Sequence, residues 1–512
     1  MWRYKGFSAK IKNCVGIPSH NREIGKSGPT EISKPFYGHA NSTCFWGHIH
    51  KTSWSQNPEK INRLDYCKLA KRIAKEAKRR KNKYPMKSLK NVDWQLVMAG
   101  IWHFLPRGIR IISGILGASV VARHLGPKDF GTLSIYYSIV LTAASLLSMG
   151  APEVLTRAVA AFPGSGSRSL KIVLQLRLLG FFLCSILLFG IGHFLANKYL
   201  LAILSLIPLF LVSDAIESYF YGTGDFRKTV VTRIASSLIG LLVRIYFAWE
   251  GWGINAFAVA AVIETGAGAI GLLWLAPKNR KSIPDDKNAT LVNYLKISWP
   301  LALSGLVLAF SIRVDQYLLA YFRKGPELGN YYATVRLMEL ASLIISSITA
   351  ALLPKMAVFY ENDKIKYDKA MVSIYKNSFL YGTILACIFS LLSPILIKIV
   401  FGDTYTASTP LLRYYAFCIV FMIVGTVRGM HLIISNNTVA HLKISLICLA
   451  VAPITMGIPA YISGALGLAM AMPLNYVLSS TISSRFLKIT WEDWRNQKLA
   501  IQQALKTMRL KL

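Results

Sequence analysis

The sequence predicts an all-α polytopic membrane protein with about 12 transmembrane helices in two pseudo-symmetric six-helix bundles. Three observations carry this prediction. From Val97 onward, apolar runs of roughly 20 residues, each enough to cross the hydrocarbon core, follow one another with short polar breaks. Hydrophobic residues make up 53% of the 512-residue chain, which has a mean hydropathy of +0.41. The chain also repeats itself. ARHLGPKDFG (Ala122 to Gly131) and AYFRKGPELG (Ala320 to Gly329) are both Gly-Pro loops ending in an acidic residue, an apolar residue and Gly, and in each half a basic residue, Arg157 or Lys355, follows 26 residues later. Internal repeats in a membrane chain point to a transporter with its site between the halves.

Taken in order, residues 1–93 are a basic extension with 19 Lys/Arg and 5 Asp/Glu before Met86, too poor in aliphatic residues to bury a core. The expectation is disorder on the cytoplasmic side, with a short amphipathic helix over Leu64–Lys81 against anionic lipid; MKSLKNVDWQ at Met86 reads as an alternative start. No apolar signal-peptide core is present there. Cys14, Cys44 and Cys67 with His20, His39, His48 and His50 lack the paired spacing of a zinc site, so no metal is expected. Cys184, Cys387, Cys418 and Cys448 lie in apolar runs and read as small buried thiols.

The twelve predicted spans are 99–123, 131–150, 171–195, 200–221, 229–248, 253–276, 294–322, 330–353, 376–401, 410–433, 438–461 and 463–486. They divide into a first bundle (94–276), a cytoplasmic linker (277–293) and a second bundle (294–487). Alternate loops are basic: Arg157, Arg168 and Lys171; Arg227 and Lys228; Lys278, Arg280 and Lys281; Lys364, Lys366 and Lys369. The intervening loops are nearly free of Lys and Arg, with RHLGPK and FRKGPE as exceptions, and the balance of positive charge inside places both termini in the cytoplasm and the chain in the cytoplasmic (inner) membrane. Residues 488–512, with Trp491, Trp494, Leu499, Ile501 and Leu505 set among basic residues, read as an interfacial helix.

A net charge of +35 in a soluble protein suggests nucleic acid; in this one it fits cytoplasmic loops and an anionic substrate. Ionisable side chains at membrane depth face a protein interior or a wet cavity. Arg107 and Arg110 share a face of the first span, and Arg177, Arg244, Arg313, Arg413 and Arg428 join them in others. Arg107, Arg110, Arg313, Arg336 and Arg177 are the candidate substrate-binding cations, because a planar guanidinium matches phosphate oxygens. Asp315, Glu264, Asp214 and Glu217 are the candidate ion-coupling groups for H⁺ or Na⁺, with no other cofactor expected. The blander reading is mutual neutralisation: Arg336 can pair with Glu339 three residues on, and Arg233 with Asp214 or Glu217. GTGD at Gly222 and GSGS at Gly164 are loops without the strand a nucleotide site needs, and no catalytic or Walker pattern occurs, so the chain does not read as an enzyme.

ARHLGPKDFGTLSIYYSIV, YFYGTGDFRKTVVTRIASSLIGLLVRI, IRVDQYLLAYFRKGPELGNYYATVRLMEL with TAALLPKMA, and FGDTYTASTPLLRYYAF resemble the polysaccharide exporters, the O-antigen flippase-like branch of the multidrug/oligosaccharidyl-lipid/polysaccharide exporter superfamily, over residues 94–486. The resemblance implies alternating access between two six-helix bundles and translocation of a polyprenyl-diphosphate-linked oligosaccharide for surface polysaccharide, such as the O-antigen of lipopolysaccharide. It further implies a cationic lumen, to which Arg107, Arg110 and Arg313 are suited, an ion gradient as drive, a monomeric chain in contact with membrane lipids, and a glycan polymerase and assembly proteins as partners. Two alternatives stand beside it. A multidrug cation exporter of the same superfamily calls for an acidic, aromatic cavity, and a membrane glycan polymerase or ligase calls for a long outer loop.

Overall fold

The computed structural model describes the chain from Trp94 to Arg509, with interruptions between 149 and 165 and at 226, 277–290, 436 and 487–490. The extension 1–93, including Leu64–Lys81 and Met86, and most of the linker 277–293 lie outside the described residues. The chain divides at Trp94, and the fold described below belongs to the unit Gln95–Leu512.

The described residues contain helices and no strand. The first bundle is built from α1 (Trp94–Ser148), α2 (Gly166–Gly192), the consecutive pieces α3 (Lys198–Leu204), α4 (Ile207–Leu211) and α5 (Asp214–Thr223), then α6 (Arg227–Trp249) and α7 (Ile254–Leu275). The second is built from α8 (Leu291–Ser311), α9 (Val314–Phe322), α10 (Pro326–Asn362), α11 (Lys364–Leu391), α12 (Ser393–Phe401), α13 (Ser408–Tyr415), α14 (Cys418–Ile434), α15 (Thr438–Ala452) and α16 (Ile458–Val477). The short α17 (Ser483–Phe486) leads to the C-terminal α18 (Trp491–Arg509).

Among the described residues seven helices are long and apolar enough to cross a membrane, and two bent pairs, α8–α9 and α13–α14, bring the number to nine. Two of the seven are double. A left-handed residue, Gly126 (φ 72°), breaks α1, and Gly464 (φ 57°) breaks the stretch Leu442–Ile482. An L side chain is strained in that backbone region, so glycine is what lets the chain reverse there. With these divided, eleven of the twelve predicted spans coincide with a candidate crossing, and the twelfth, 330–353, falls within α10, which carries Arg336 and Glu339 in its first half.

Burial follows the same division. Val140, Leu147 and Leu204, and separately Leu155, Leu176 and Ile216, form the cores of the first bundle. Leu319, Tyr331, Phe401 and Leu468 centre the second. Large apolar side chains remain outward on both, among them Phe189 (75% exposed) and Leu391 (78%), as expected where lipid is the solvent. Glycines bring helices close: a Cβ at Gly240 of α6 would lie 2.7 Å from Glu264 of α7, and one at Gly271 of α7 would overlap Thr232 of α6.

Candidate functional site: the crevice between the bundles

The two repeated Gly-Pro loops meet. Gly126 and Gly325 both take left-handed φ values (72° and 82°), and Pro326 opens α10 with its φ already helical. Each loop ends in a glycine, and the two glycines touch: a Cβ on Gly131 would sit 2.6 Å from the Gly329 amide nitrogen, and one on Gly329 would overlap the Pro127 carbonyl. Backbone contact at this distance leaves no room for a side chain. Around it, the Tyr405 hydroxyl donates to the Ala122 carbonyl (3.0 Å), and Phe130 packs edge-on to Tyr405. Arg123 Nε donates to the Val400 carbonyl (3.1 Å), and its guanidinium also reaches the Ile399 carbonyl, capping the exposed end of α12 from the other bundle. On this Gly-Pro face the crevice is closed.

Beneath the closure a polar seam joins the second half of α1 to the second bundle. Ser138 donates to Gln316 Oε1 (3.0 Å) and accepts from Tyr332 (3.3 Å). Tyr317 donates to the Ser138 carbonyl (3.0 Å) and lies 2.5 Å from the Thr142 hydroxyl. An apolar cavity of about 440 Å³ opens beside the seam, lined by Thr142, Leu187, Val307, Phe310 and Tyr317 among others.

The charged groups gather one residue away, at Tyr137. The half-buried phenol of Tyr137 on α1 sits in the combined field of Glu264, Arg336, Arg244 and Arg313, drawn from α7, α10, α6 and the α8–α9 break. Arg244 is held by Glu264 (2.5 Å) and lies against Gly117 of α1, where an added Cβ would be 3.0 Å from its Nη1. Arg336 pairs with Glu339 (2.9 Å), the local pair its spacing predicts, with both side chains partly exposed. Arg313 forms the hinge between α8 and α9, which meet at 51°. The fields of three guanidinium groups and one carboxylate thus meet at Tyr137.

Asp315 follows that hinge, in the first turn of α9, where the helix dipole favours a negative charge. It is only 2% exposed. The Tyr331 hydroxyl donates to its Oδ2 (2.7 Å), the amides of Asp315 and Gln316 face the carboxylate, and Oδ1 is buried with no hydrogen-bond partner. No described cation lies within ion-pair distance of it.

The remaining predicted residues fall elsewhere. Asp214 and Glu217 of α5 both grip Arg233 of α6, Glu217 at 2.7 Å, as their shared face suggested. Arg177 is buried and donates to the Leu211 carbonyl (2.7 Å), inside the first bundle. Arg107 and Arg110 lie on α1, but their side chains are outside the described residues. No metal-holding group of His, Cys, Asp or Glu occurs among the described residues. Sequence reasoning missed Tyr137, Tyr317 and Tyr332. The signal was present as the tyrosine pairs of IYYSI and NYYAT, one beside the end of each Gly-Pro loop.

The family profile described as polysaccharide biosynthesis protein matches residues 96–359. No curated protein sequence matches significantly. Solved structures do. An inward-facing multidrug resistance MATE family transporter of the MOP superfamily aligns over 76% of this chain and 95% of its own, with 15% identity and a TM-score of 0.64. A MOP superfamily transporter from Pyrococcus furiosus, described as having a binding pocket of reversed polarity, covers 79% and 95% at 13% identity and TM-score 0.57. The lipid II flippase MurJ in an inward closed conformation covers 81% and 93% at 14% identity and TM-score 0.55. At these identities the structures speak for the fold, and the profile speaks for the family: the chain shares its helical fold with these solved proteins and belongs to the polysaccharide biosynthesis protein family.

Proposed function

We propose that this chain flips a polyprenyl-diphosphate-linked oligosaccharide across the cytoplasmic membrane by alternating access, for assembly of a surface polysaccharide. The observation that carries the reading is the convergence of Arg244, Arg313 and Arg336 on Tyr137 in the crevice of a polysaccharide biosynthesis family member. With Arg244 and Arg336 paired to Glu264 and Glu339, Arg313 is the surplus cation of the three, and in a low-dielectric crevice such a surplus favours an anionic headgroup such as a diphosphate. The apolar cavity touching Tyr317 offers the polyprenyl chain a surface beside the polar seam. Basic loops put the termini in the cytoplasm, which makes the Gly-Pro face the outer one and this conformation closed outward.

Arg107 and Arg110 remain candidates for the headgroup by their place in the sequence of the first span, and Arg177 braces the first bundle. Asp315 is the site of ion coupling: a buried carboxylate without a guanidinium partner takes up H⁺ or Na⁺ more readily than Asp214, Glu217 or Glu264, each of which has one. The closed outer end would open when the two glycine contacts part.

The test uses lipid extracts from a strain lacking this gene, complemented with wild type or with Arg107→Ala, Arg110→Ala or Arg313→Ala. Accumulated lipid-linked oligosaccharide and lost surface glycan, unrestored by variants present at normal membrane levels, is the expected result. Unchanged glycan pools with increased sensitivity to cationic drugs would replace this reading with a multidrug exporter.

A further inference from the structure

The C-terminal helix α18 buries uncharged amides and one acid against the bundle and leaves aromatic, aliphatic and cationic side chains outside. Asp493 (1% exposed), Asn496 (5%), Gln497 (0%) and Ala500 (0%) face the bundle, while Trp491 (50%) and Leu499 (43%) face outward with Arg495 and Lys498. The inner face is bonded to the second bundle. Tyr375 of α11 donates to Asp493 Oδ1 (3.1 Å), Gln497 donates to the Ser480 carbonyl (3.3 Å), and Lys364 holds Glu492 at the flank (3.3 Å). With its polar residues turned inward, this helix leaves its aromatic rings and cations for something else.

Those outward groups form a compact array. The rings of Trp491 and Trp494 lie 5.0 Å apart, and Arg485 and Lys498 each stand over Trp494, at 5.6 and 5.4 Å. From Arg485 onward the sequence holds seven Lys/Arg and two Asp/Glu, and one of those acids is buried while the other is paired to Lys364. The surface charge is therefore uncompensated. The array follows directly on the last apolar stretch, which ends at Ile482, so it stands at the level where a spanning helix meets headgroups. Indoles prefer that level and cations prefer an anionic leaflet.

We propose that the outer face of α18, with Arg485, is a binding surface for anionic phospholipid headgroups, the indoles seated at headgroup depth and Arg485, Arg495 and Lys498 on the phosphates. The partner is a lipid surface because the array joins exposed apolar rings to uncompensated positive charge immediately beside the membrane-crossing segments. This inference is independent of the cargo proposed above.

The full chain is reconstituted into phosphatidylcholine discs containing brominated phosphatidylglycerol or brominated phosphatidylcholine, and the quenching assigned to Trp491 and Trp494 is isolated by difference against Trp491→Phe/Trp494→Phe. Each cation beside an anionic leaflet contributes about a fivefold preference. The expected ratio of phosphatidylglycerol to phosphatidylcholine association is well above one, falling to about one in Arg485→Gln/Arg495→Gln/Lys498→Gln. A ratio of one in wild type, or an unchanged ratio in the triple variant, overturns the proposal. Should the triple variant fail to fold, Lys498→Gln and a salt series on wild type decide: the preference must fall by about the same fivefold step, or fade toward about 0.5 M salt, where surface charges are screened.

Discussion

In the first bundle Asp214, Glu217 and Glu264 each meet a guanidinium, whereas the buried acids Asp315 of the second bundle and Asp493 of α18, packed on that bundle, are held by the hydroxyls of Tyr331 and Tyr375. The difference is one of protonation. A carboxylate paired with arginine keeps its charge and fixes two helices together; one held by a phenol in a dry setting can change its charge while keeping its hydrogen bond. On the proposed reading, the first bundle's acids are committed to structural pairs, and Asp315 of the second bundle is the acid available for ion coupling. His431, 3.8 Å from Asp493 and 2.5 Å from the Tyr367 hydroxyl, belongs to the same buried polar cluster.

The largest effect is expected from breaking the first bundle's pairing. Arg244→Ala leaves the part-buried Glu264 without its guanidinium against α6 and is expected to cost about 2 kcal/mol, between an exposed and a fully buried pair, read as a lowered Tm of the purified protein, with much of the loss recovered in Arg244→Met/Glu264→Gln. A single variant as stable as wild type would show that the pair contributes little to holding α6 and α7.

Next comes the responsive acid within the membrane. Asp315→Asn preserves an acceptor for Tyr331 and removes the ionisable group, so Tm is expected to hold while the stimulation of flipping by an ion gradient disappears, a change of about 5- to 150-fold for coupling of ordinary strength. Gradient-dependent flipping that survives in reconstituted vesicles would move the coupling site elsewhere.

Asp493 gives the third. Removal from water under α18 pushes its carboxyl up to about 6, against the favourable influence of His431, Tyr375 and Arg428, with Glu492 adding to the rise. The folded chain thus binds this proton more tightly than the unfolded chain does. Stability from this group is fully present below the ordinary carboxylate range and is lost as pH climbs from there to about 6, by on the order of 2 kcal/mol. Tm measured between pH 4 and pH 7 should show that fall in wild type and lack it in Asp493→Asn. An identical profile in both would assign the acid no part in it.

The smallest effect marks the limit of the contrast. Arg336 and Glu339 form an i,i+3 pair with both side chains partly exposed, so Arg336→Ala should cost only about 0.5 kcal/mol in Tm while weakening substrate binding. A stability loss as large as that of Arg244→Ala would erase the distinction between the bundles.

Much of this was legible in the sequence. Apolar run length specified helices and their number, because a chain in lipid has to satisfy its backbone hydrogen bonds within each segment. The repeated Gly-Pro loops announced two halves, spacing offered the Arg336–Glu339 pair, and chain order offered Arg233 one of Asp214 and Glu217, where the structure gives it both. The partners of Arg244 and Asp315 were beyond that reach, as they lie on other helices. So was the role of Tyr137, an unremarked phenol until four helices bring their charges to it.

What the sequence determined by itself was the membrane-spanning helical architecture and its twofold repetition, since both follow from local hydrophobicity and chain order. What only the tertiary structure decided was which charges neutralise one another, that the glycines of the two loops touch, and that α18 turns its polar face inward. Those outcomes depend on distances between segments far apart in the chain, and a one-dimensional pattern does not encode helix rotation or crossing: Gly131 and Gly329 are 198 residues apart, yet their backbones meet where either side chain would have kept them separate.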